Sequence, residues 1–256
     1  MLPNEEIRIG RDVSETIAIA ADRIFQTLSQ FSILNSQSST CIALSGGRTP
    51  AALYQLLTQP PYRDRVNWKN IEWFWGDERT VPPDHADSNY RMARETLLAP
   101  LAIDESRIHR MPAERPDRYR AAEEYEQVIR SKVKPVNAAG IPMFDLVLLG
   151  IGSDGHTASL FPNSVALQEK QRLVVANYVP SQQTWRITMT FPLLLAARHI
   201  MFLVCGADKA EAMERIIKAR SGEESPPAAT LRTSTGRISW ILDAPAARLV
   251  STPPTT

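Results

Sequence analysis

An apolar run that ends in a glycine-rich loop constrains the fold of this chain more than any other stretch. Residues 146–149 read Leu-Val-Leu-Leu, and glycines follow at positions 150, 152 and 155. A short apolar run closed by glycines is typical of a strand buried on both faces, as in a parallel sheet. Asp154 and His156 lie inside the glycine loop. The sequence therefore predicts an acid and an imidazole at the carboxyl end of a buried strand, where open α/β folds bind their ligands.

Strands and helices alternate along the rest of the chain. Apolar runs predict further buried strands over Cys41–Leu44, Ile71–Trp75 and His199–Cys205. Apolar residues at three- and four-residue steps predict a helix that begins at a Ser14 N-cap and another over Asp117–Val133. Because several strands are apolar throughout, the pattern indicates an α/β fold with a mostly parallel, Rossmann-like sheet and helices on both faces.

Length and composition limit the organisation and the partners. The chain has 256 residues and no linker long enough to divide it, so we predict one α/β domain over residues 1–250 and a disordered tail over residues 251–256. The formal net charge is +1, which argues against nucleic acid or an anionic membrane as the main partner. The start of the sequence lacks a signal-peptide pattern, and no apolar run is long enough to span a membrane. We therefore expect a cytoplasmic protein, with Cys41 and Cys205 as free buried thiols.

A second glycine loop follows the strand Cys41–Leu44. Residues 45–50 read Ser-Gly-Gly-Arg-Thr-Pro, and the pattern continues as a helix. The glycines Gly46 and Gly47 let the backbone approach a ligand, and a helix N-terminus offers free N–H groups that suit a phosphate. Arg48 adds a cation that can bind such a group through two hydrogen bonds. The alternative is a tight turn with a solvated arginine, and the spacing is not that of a P-loop.

Charged residues follow later strands as well. Asp77, Glu78 and Arg79 follow Gly76 at the end of the aromatic strand, where they form either an orienting network or a solvated turn; alone, the stretch favours the turn. Alternation along the strand over residues 185–190 places Arg186 opposite the apolar side chains. Lys209 follows the strand His199–Cys205. Arg186 and Lys209 could close a phosphate site, although each alone is more often a surface cation.

His156 is the most informative single residue. An Asp-x-His turn can place the carboxylate of Asp154 against the imidazole, which fixes the tautomer and raises the basicity of the ring. The other histidines lack this setting, because His85 lies in a predicted loop, His109 on a predicted edge strand and His199 at the start of a strand. No HExxH or CxxC spacing indicates a metal, and no Gly-x-Ser-x-Gly elbow indicates a nucleophilic serine. Ser159 is interpreted as a hydroxyl at a helix start, so the predicted chemistry is base-activated water or proton transfer.

A dinucleotide site is the alternative interpretation of the glycine loop. Glycines at positions 150, 152 and 155 fit Gly-x-Gly-x-x-Gly after a strand. That fingerprint needs an acid after the next strand, and none follows Leu173–Val175. A charged Asp154 inside the loop would also repel a pyrophosphate. The sequence therefore argues against nicotinamide binding.

Taken together, the motifs resemble the 6-phosphogluconolactonase family. The matching segments are residues 45–50, 76–79 with 87–90, 150–162, 186–190 and 206–209. The string over residues 154–162, Asp-Gly-His-Thr-Ala-Ser-Leu-Phe-Pro, is the most specific. The related glucosamine-6-phosphate deaminases share the Gly-x-Gly-x-Asp-Gly-His core but typically continue as Ile-Ala-Phe-Asn-Glu-Pro. This chain departs from the family in one place, because Ser181 stands where a lysine is often found.

The resemblance implies a deaminase-like fold and hydrolysis of 6-phospho-D-glucono-1,5-lactone to 6-phosphogluconate in the oxidative pentose phosphate pathway, with no cofactor or metal. It implies that His156 is the general base for water attacking C1, that Asp154 holds it, and that Arg79 braces the pair. Oxyanion donors would be Arg79 or amides near Gly46 and Gly47. The implied substrate-binding residues are Ser45, Gly46, Gly47, Arg48, Thr49, Asp77, Arg186 and Lys209.

Two rival functions remain open at this stage. One is an isomerase-deaminase that acts on glucosamine 6-phosphate through a similar fold. The other is a non-catalytic sensor that binds a sugar phosphate and acts through a partner. The resemblance favours a sugar-phosphate lactone as the small-molecule substrate and a monomer or weak homodimer.

Overall fold

The computed structural model describes residues 2–34, 39–134, 136–219 and 225–250, with only the backbone described for residues 31–34. The predicted tail over residues 251–256 lies outside the described residues. The strands are β1 (Glu5–Gly10), β2 (Thr40–Leu44), β3 (Ile71–Trp75), β4 (Asp77–Arg79), β5 (Leu146–Leu149), β6 (Val174–Val179), β7 (Thr184–Met189), β8 (His199–Val204) and β9 (Arg237–Asp243). The α-helices are α1 (Val13–Leu34), α2 (Arg48–Leu57), α3 (Tyr62–Arg65), α4 (Asn89–Ala93), α5 (Arg118–Lys132), α6 (Phe191–Leu195), α7 (Ala210–Lys218), α8 (Pro227–Thr230) and α9 (Ala244–Ala247).

A parallel sheet in the order β1-β9-β8-β5-β2-β3 forms the centre of the described fold. From β2 the chain proceeds outward to β3, whereas from β5 it proceeds in the opposite direction to β8 and β9. The order therefore reverses between β2 and β5, and their carboxyl ends open a crevice there. The predicted mostly parallel sheet with helices is confirmed.

Three further strands form a second, antiparallel sheet. Its order is β4-β7-β6, and Arg79 of β4 lies opposite Arg186 of β7. The interpretation of residues 76–79 as a solvated turn is therefore wrong, because Asp77–Arg79 pairs as a strand and Glu78 is buried. The second sheet carries its charged residues to the crevice between β2 and β5.

Burial explains why the central strands read as unbroken apolar runs. Every residue of β5 and of β8 is buried, because the central strands are covered on both faces. Side chains of both sheets belong to one contiguous hydrophobic cluster, which includes Trp73, Leu148 and Ile187. The two sheets are therefore held together by a shared apolar core.

Capping residues define the helix starts. The side chain of Asp12 accepts the amide of Glu15, so Asp12 and not Ser14 caps α1. The prediction failed there because several polar residues precede the apolar pattern. Asp117 accepts the amide of Arg120 and caps α5, as the sequence predicts. Cys41 and Cys205 are free thiols, with Cys41 buried and Cys205 partly exposed.

Within the described ranges, no helix is long and apolar enough to cross a membrane. The same ranges contain no cluster of three or more histidine, cysteine or acidic side chains able to hold a metal ion.

Candidate active site

A cavity of about 270 Å³ opens at the crevice between β2 and β5. Residues that follow the two strands form its floor, β4 and β7 form one wall, and Lys209 lies at the end of β8. Seven of the predicted site residues line it. These are Ser45, Gly46, Asp77, Arg79, His156, Arg186 and Lys209.

The loop after β5 positions His156 through a tight backbone turn. The amide of Gly152 donates to the carbonyl of His156 over 2.9 Å, and the amide of Gly155 donates back to Gly152 over 2.9 Å. The hydroxyl of Thr157 donates to the carbonyl of Gly150 over 2.9 Å. These bonds close the loop on itself. The helix that the sequence allows from Thr157 onward does not form, because Ala158 takes a left-handed conformation with φ of 47°.

Asp154 and His156 form the predicted pair. The Oδ1 atom of Asp154 lies 2.6 Å from His156 Nδ1 and also accepts the His156 amide over 3.0 Å. Because a carboxylate can only accept, Nδ1 carries the hydrogen and Nε2 is left as the basic nitrogen. Burial raises the pKa of Asp154, but the bonds and charge of His156 outweigh it and hold that pKa below its ordinary value. The acid therefore stays ionised beside the ring.

An aromatic ring and a glycine also contact the imidazole of His156. The ring of Phe161 lies 3.8 Å from that of His156, centroid to centroid, at an angle of 23°. A Cβ atom at Gly152 would lie 2.1 Å from His156 Nδ1 and 2.6 Å from Asp154 Oδ1. Only glycine fits there, so the loop glycine is required by the acid–imidazole pair and not by a pyrophosphate.

Asp77 is fixed by residues from two other segments. Its Oδ2 atom accepts the hydroxyl of Ser159 over 2.6 Å, and its backbone carbonyl accepts the side-chain amide of Asn89 over 2.9 Å. Ser159 is almost fully buried and lies in an irregular segment, so its interpretation as a helix-start hydroxyl is wrong. Ser159 acts instead as a donor that orients the Asp77 carboxylate at the cavity wall.

Glu78 is a buried acid that connects two segments next to the cavity. Its buried carboxylate accepts the amides of Arg79, Asn89 and Tyr90 over 2.8 Å each, and the hydroxyl of Ser88 over 3.2 Å. Burial nevertheless raises the pKa of Glu78 above its ordinary value. The carboxylate thus ties the start of α4 to β4.

Gly46 lies against the same structure. A Cβ atom at Gly46 would lie 1.8 Å from Asn89 Oδ1, so the backbone after β2 can reach its position only as glycine. Asn89 is buried and its Oδ1 atom has no hydrogen-bond partner among the described residues. Sequence reasoning missed both Glu78 and Asn89 as site residues. The Ser-Asn at positions 88–89 was visible only as part of the family resemblance.

The two arginines of the cavity wall donate to neutral acceptors. Arg79 donates to the carbonyl of Asp87 over 2.5 Å, and in the described part of the chain it makes no hydrogen bond to Asp154 or His156. The expected bracing of the pair by Arg79 stays a prediction. Arg186 donates to Oε1 of Gln182 over 2.8 Å.

Four predicted residues do not line the cavity, namely Gly47, Arg48, Thr49 and Asp154. The helix α2 begins at Arg48 with Gly47 as its cap position, and no side chain caps its first amides. Arg48 is exposed, and neither it nor Gly47 nor Thr49 lines the cavity. Lys209 does line it, with its Nζ atom 2.9 Å from Asp208. The predicted role of Arg48 as a phosphate ligand stays a prediction.

A second imidazole–carboxylate pair lies outside the cavity. Glu72 Oε2 lies 2.6 Å from His109 Nε2. The two residues are far apart in the sequence and meet only because His109 lies beside β3, where its amide donates to the carbonyl of Trp73. His109 does not line the cavity.

Comparison of the chain with known proteins identifies its family. The profile of glucosamine-6-phosphate isomerases/6-phosphogluconolactonase matches residues 11–240. The chain belongs to this family. A 6-phosphogluconolactonase from Synechocystis is 37% identical over 95% of this chain and 96% of its own. Another from Haemophilus influenzae is 36% identical over 90% of this chain and 95% of its own.

Solved structures agree with this placement. The 6-phosphogluconolactonase from Trypanosoma cruzi superposes with a TM-score of 0.87 at 33% identity, covering 98% of this chain and 99% of that one. A monomeric glucosamine-6-phosphate deaminase superposes with a TM-score of 0.78 at 22% identity, covering 95% and 99%. At that identity the deaminase shares the fold, and the family similarity to lactonases rests on the closer relatives.

Proposed function

We propose that the chain hydrolyses 6-phospho-D-glucono-1,5-lactone to 6-phospho-D-gluconate, a step of the oxidative pentose phosphate pathway. The observation that carries this proposal is the Asp154–His156 pair, whose Nδ1 side is occupied by the carboxylate while the ring lines the cavity. The relatives named 6-phosphogluconolactonase supply the substrate class. A lactone ester opened by water needs one base and one oxyanion site, which this cavity can offer.

His156 acts as the general base. Nε2 takes a proton from a water molecule as the water oxygen bonds to C1 of the lactone, and C1 becomes tetrahedral. When the bond between C1 and the ring oxygen breaks, the same Nε2–H returns the proton to the leaving alkoxide. The new carboxylic acid then ionises in water. Asp154 stabilises the imidazolium between the two transfers because its lowered pKa keeps it charged.

Arg79 is the side chain best placed to stabilise the oxyanion. Its guanidinium lines the cavity and commits one nitrogen to the carbonyl of Asp87, which leaves further N–H donors for a ligand. The amide of Gly46 is the second candidate donor, because Gly46 lines the same cavity. A fixed donor at the developing charge is worth about a hundredfold or more in rate.

Arg186 and Lys209 hold the 6-phosphate. Both line the cavity, Arg186 from β7 and Lys209 from the turn that follows β8. Burial lowers the pKa of Arg186, and the neighbouring charge of Arg79 lowers it further, so an anion between these cations would be stabilised. Fixing the phosphate sets the distance from C1 to His156. The cytoplasmic location, the monomer or weak homodimer and the single domain over residues 1–250 stay predictions.

A direct assay tests this function. Freshly prepared 6-phosphogluconolactone is coupled to 6-phosphogluconate dehydrogenase, and the rate is corrected for spontaneous ring opening. We expect saturable acceleration in proportion to the protein added. Ammonia release from glucosamine 6-phosphate would favour the deaminase, and phosphosugar binding with no acceleration would favour the sensor; either result contradicts the proposal.

A further inference from the structure

Gln182 contacts the cationic wall of the cavity from a short turn between β6 and β7. It ends a 3₁₀ turn over residues 180–182, and its side chain lies at the cavity lining together with Arg186. Its Oε1 atom accepts a hydrogen bond from Arg186 Nη2 over 2.8 Å. No sequence motif singles out this glutamine.

The guanidinium of Arg186 needs a hydrogen-bond acceptor to hold it in place because a second arginine lies opposite it in the sheet. In the antiparallel register, Arg186 lies directly opposite Arg79, and like charges at opposed positions destabilise a sheet. Within the part of the chain that the structure describes, the hydrogen-bond acceptors of Arg186 are all neutral. Besides Gln182 they are the hydroxyl of Thr184 at 3.3 Å and the carbonyl of Trp185 at 3.4 Å. The guanidinium is therefore fixed in direction by neutral groups, while the charges of Asp77, Glu78 and Asp87 act on it without a hydrogen bond among the described residues.

We propose that Gln182 is a positioning residue that aims Arg186 at the substrate and leaves its charge free for the phosphate. The inference rests on the proposed function and specifies how the anion end of the cavity is built. A carboxylate at position 182 would bind the guanidinium through a charge-assisted bond and compete with the phosphate. An alanine would leave the guanidinium only its two longer hydrogen bonds, to Thr184 and Trp185, and so freer to turn away from the cavity.

The test compares Gln182→Glu and Gln182→Ala with Gln183→Glu. Gln183 is the matched control, because it is the next residue, is exposed, and does not line the cavity. It receives the same change of charge. We measure kcat and KM for the lactone and, by calorimetry, the Kd of 6-phosphogluconate.

The expected effects fall on binding and not on turnover. We expect KM and Kd to rise about tenfold in Gln182→Glu and about threefold in Gln182→Ala, with kcat changed less than about twofold. Gln183→Glu should change both constants by less than about twofold, since a mobile surface charge is largely screened. Equal effects of the two glutamates, or no effect of Gln182→Glu, would overturn the proposal.

A double-mutant cycle asks whether Gln182 acts through Arg186. In an Arg186→Met background, Gln182→Ala should change kcat/KM by less than about 1.5-fold, because coupled residues are not additive. An undiminished effect in that background would mean that Gln182 acts by another route. If the wild type does not hydrolyse the lactone, the proposed function fails while the Kd values still judge Gln182. If the wild type binds no 6-phosphogluconate, the assignment of Gln182 fails with it.

Discussion

Two histidine–carboxylate pairs in this molecule have nearly the same local geometry and different surroundings. His156 lies 2.6 Å from Asp154, and His109 lies 2.6 Å from Glu72. Each imidazole also lies against an aromatic ring, Phe161 in the first case and Phe74 in the second, with centroids 3.8 and 4.7 Å apart. The pair alone therefore does not make a catalytic site.

Location and charge separate the two pairs. Glu72 is shared with Arg107 at 2.9 Å, so a permanent cation already occupies that carboxylate. The His109 side chain is 10% exposed and lies at the edge strand β3, whereas that of His156 is 25% exposed and lines the cavity. We propose that the open cavity, together with an acid that has no arginine partner among the described residues, is what makes the Asp154–His156 pair the catalytic one. Substitutions in each pair can test this difference.

The largest effect is expected from the two imidazoles themselves. We expect His156→Asn to lower kcat/KM for the lactone by about 10³-fold, within the range for loss of a general base. The matched variant His109→Asn also loses an imidazole from a carboxylate and should keep kcat/KM within about twofold, because His109 does not line the cavity. Circular dichroism and thermal unfolding check that both variants fold. Comparable losses in the two would erase the contrast.

Substituting the two acids should have smaller effects on kcat, again larger for Asp154 than for Glu72. Asp154→Asn keeps an oxygen for Nδ1–H but removes the charge, so we expect kcat to fall about 10- to 100-fold, which corresponds to losing a charged hydrogen bond. Glu72→Gln should leave kcat unchanged. Steady-state kinetics on both variants decide the matter, and an unaffected Asp154→Asn enzyme would show that the acid contributes only to the fold.

The smallest expected effect on catalysis comes from a histidine with no carboxylate. His199 is buried between the hydroxyls of Thr27 and Ser239, at 3.1 and 2.8 Å. Burial, with smaller contributions from Arg237 and Arg23, lowers the pKa of His199 to about 3. We expect His199→Gln to keep kcat/KM within about twofold while reducing the free energy of unfolding by about 1–3 kcal/mol.

The same histidine makes a pH prediction. The folded pKa lies below the unfolded one, near 6.5, so His199 contributes stability above about pH 6.5 and loses it as the pH falls toward about 3. Denaturant unfolding of the wild type should show a loss of about 2 kcal/mol from this group between pH 6.5 and 5. In His199→Gln, the free energy of unfolding should not show this loss between about pH 6.5 and 5. The same slope with pH in both proteins would refute the assignment.

The central strands and one acid–imidazole pair could be predicted from the sequence because their signals are local. The apolar run over residues 146–149 reports burial on both faces, and Asp154 and His156 meet within one turn. The antiparallel sheet was not predicted as a separate unit, since strands such as β4 are short and polar. Strand type and partner are decided there by packing.

Long-range partners also could not be predicted. Ser159 meets Asp77 across 82 residues, and Glu72 meets His109 across 37. Glu78 looked like a solvated charge, although its carboxylate accepts hydrogen bonds from three backbone amides and a hydroxyl. Such contacts depend on the order of the strands, which hydrophobic periodicity does not encode.

The base role of His156 is tested most directly by chemical rescue. His156→Ala leaves space beside Phe161, where free imidazole can stack and accept a proton. We predict that kcat/KM falls about 10³-fold and that added imidazole restores about tenfold or more, after subtraction of enzyme-free imidazole catalysis and against wild type as control. A His156→Ala enzyme that retains near wild-type kcat/KM, or one that imidazole does not restore, would contradict His156 as the general base.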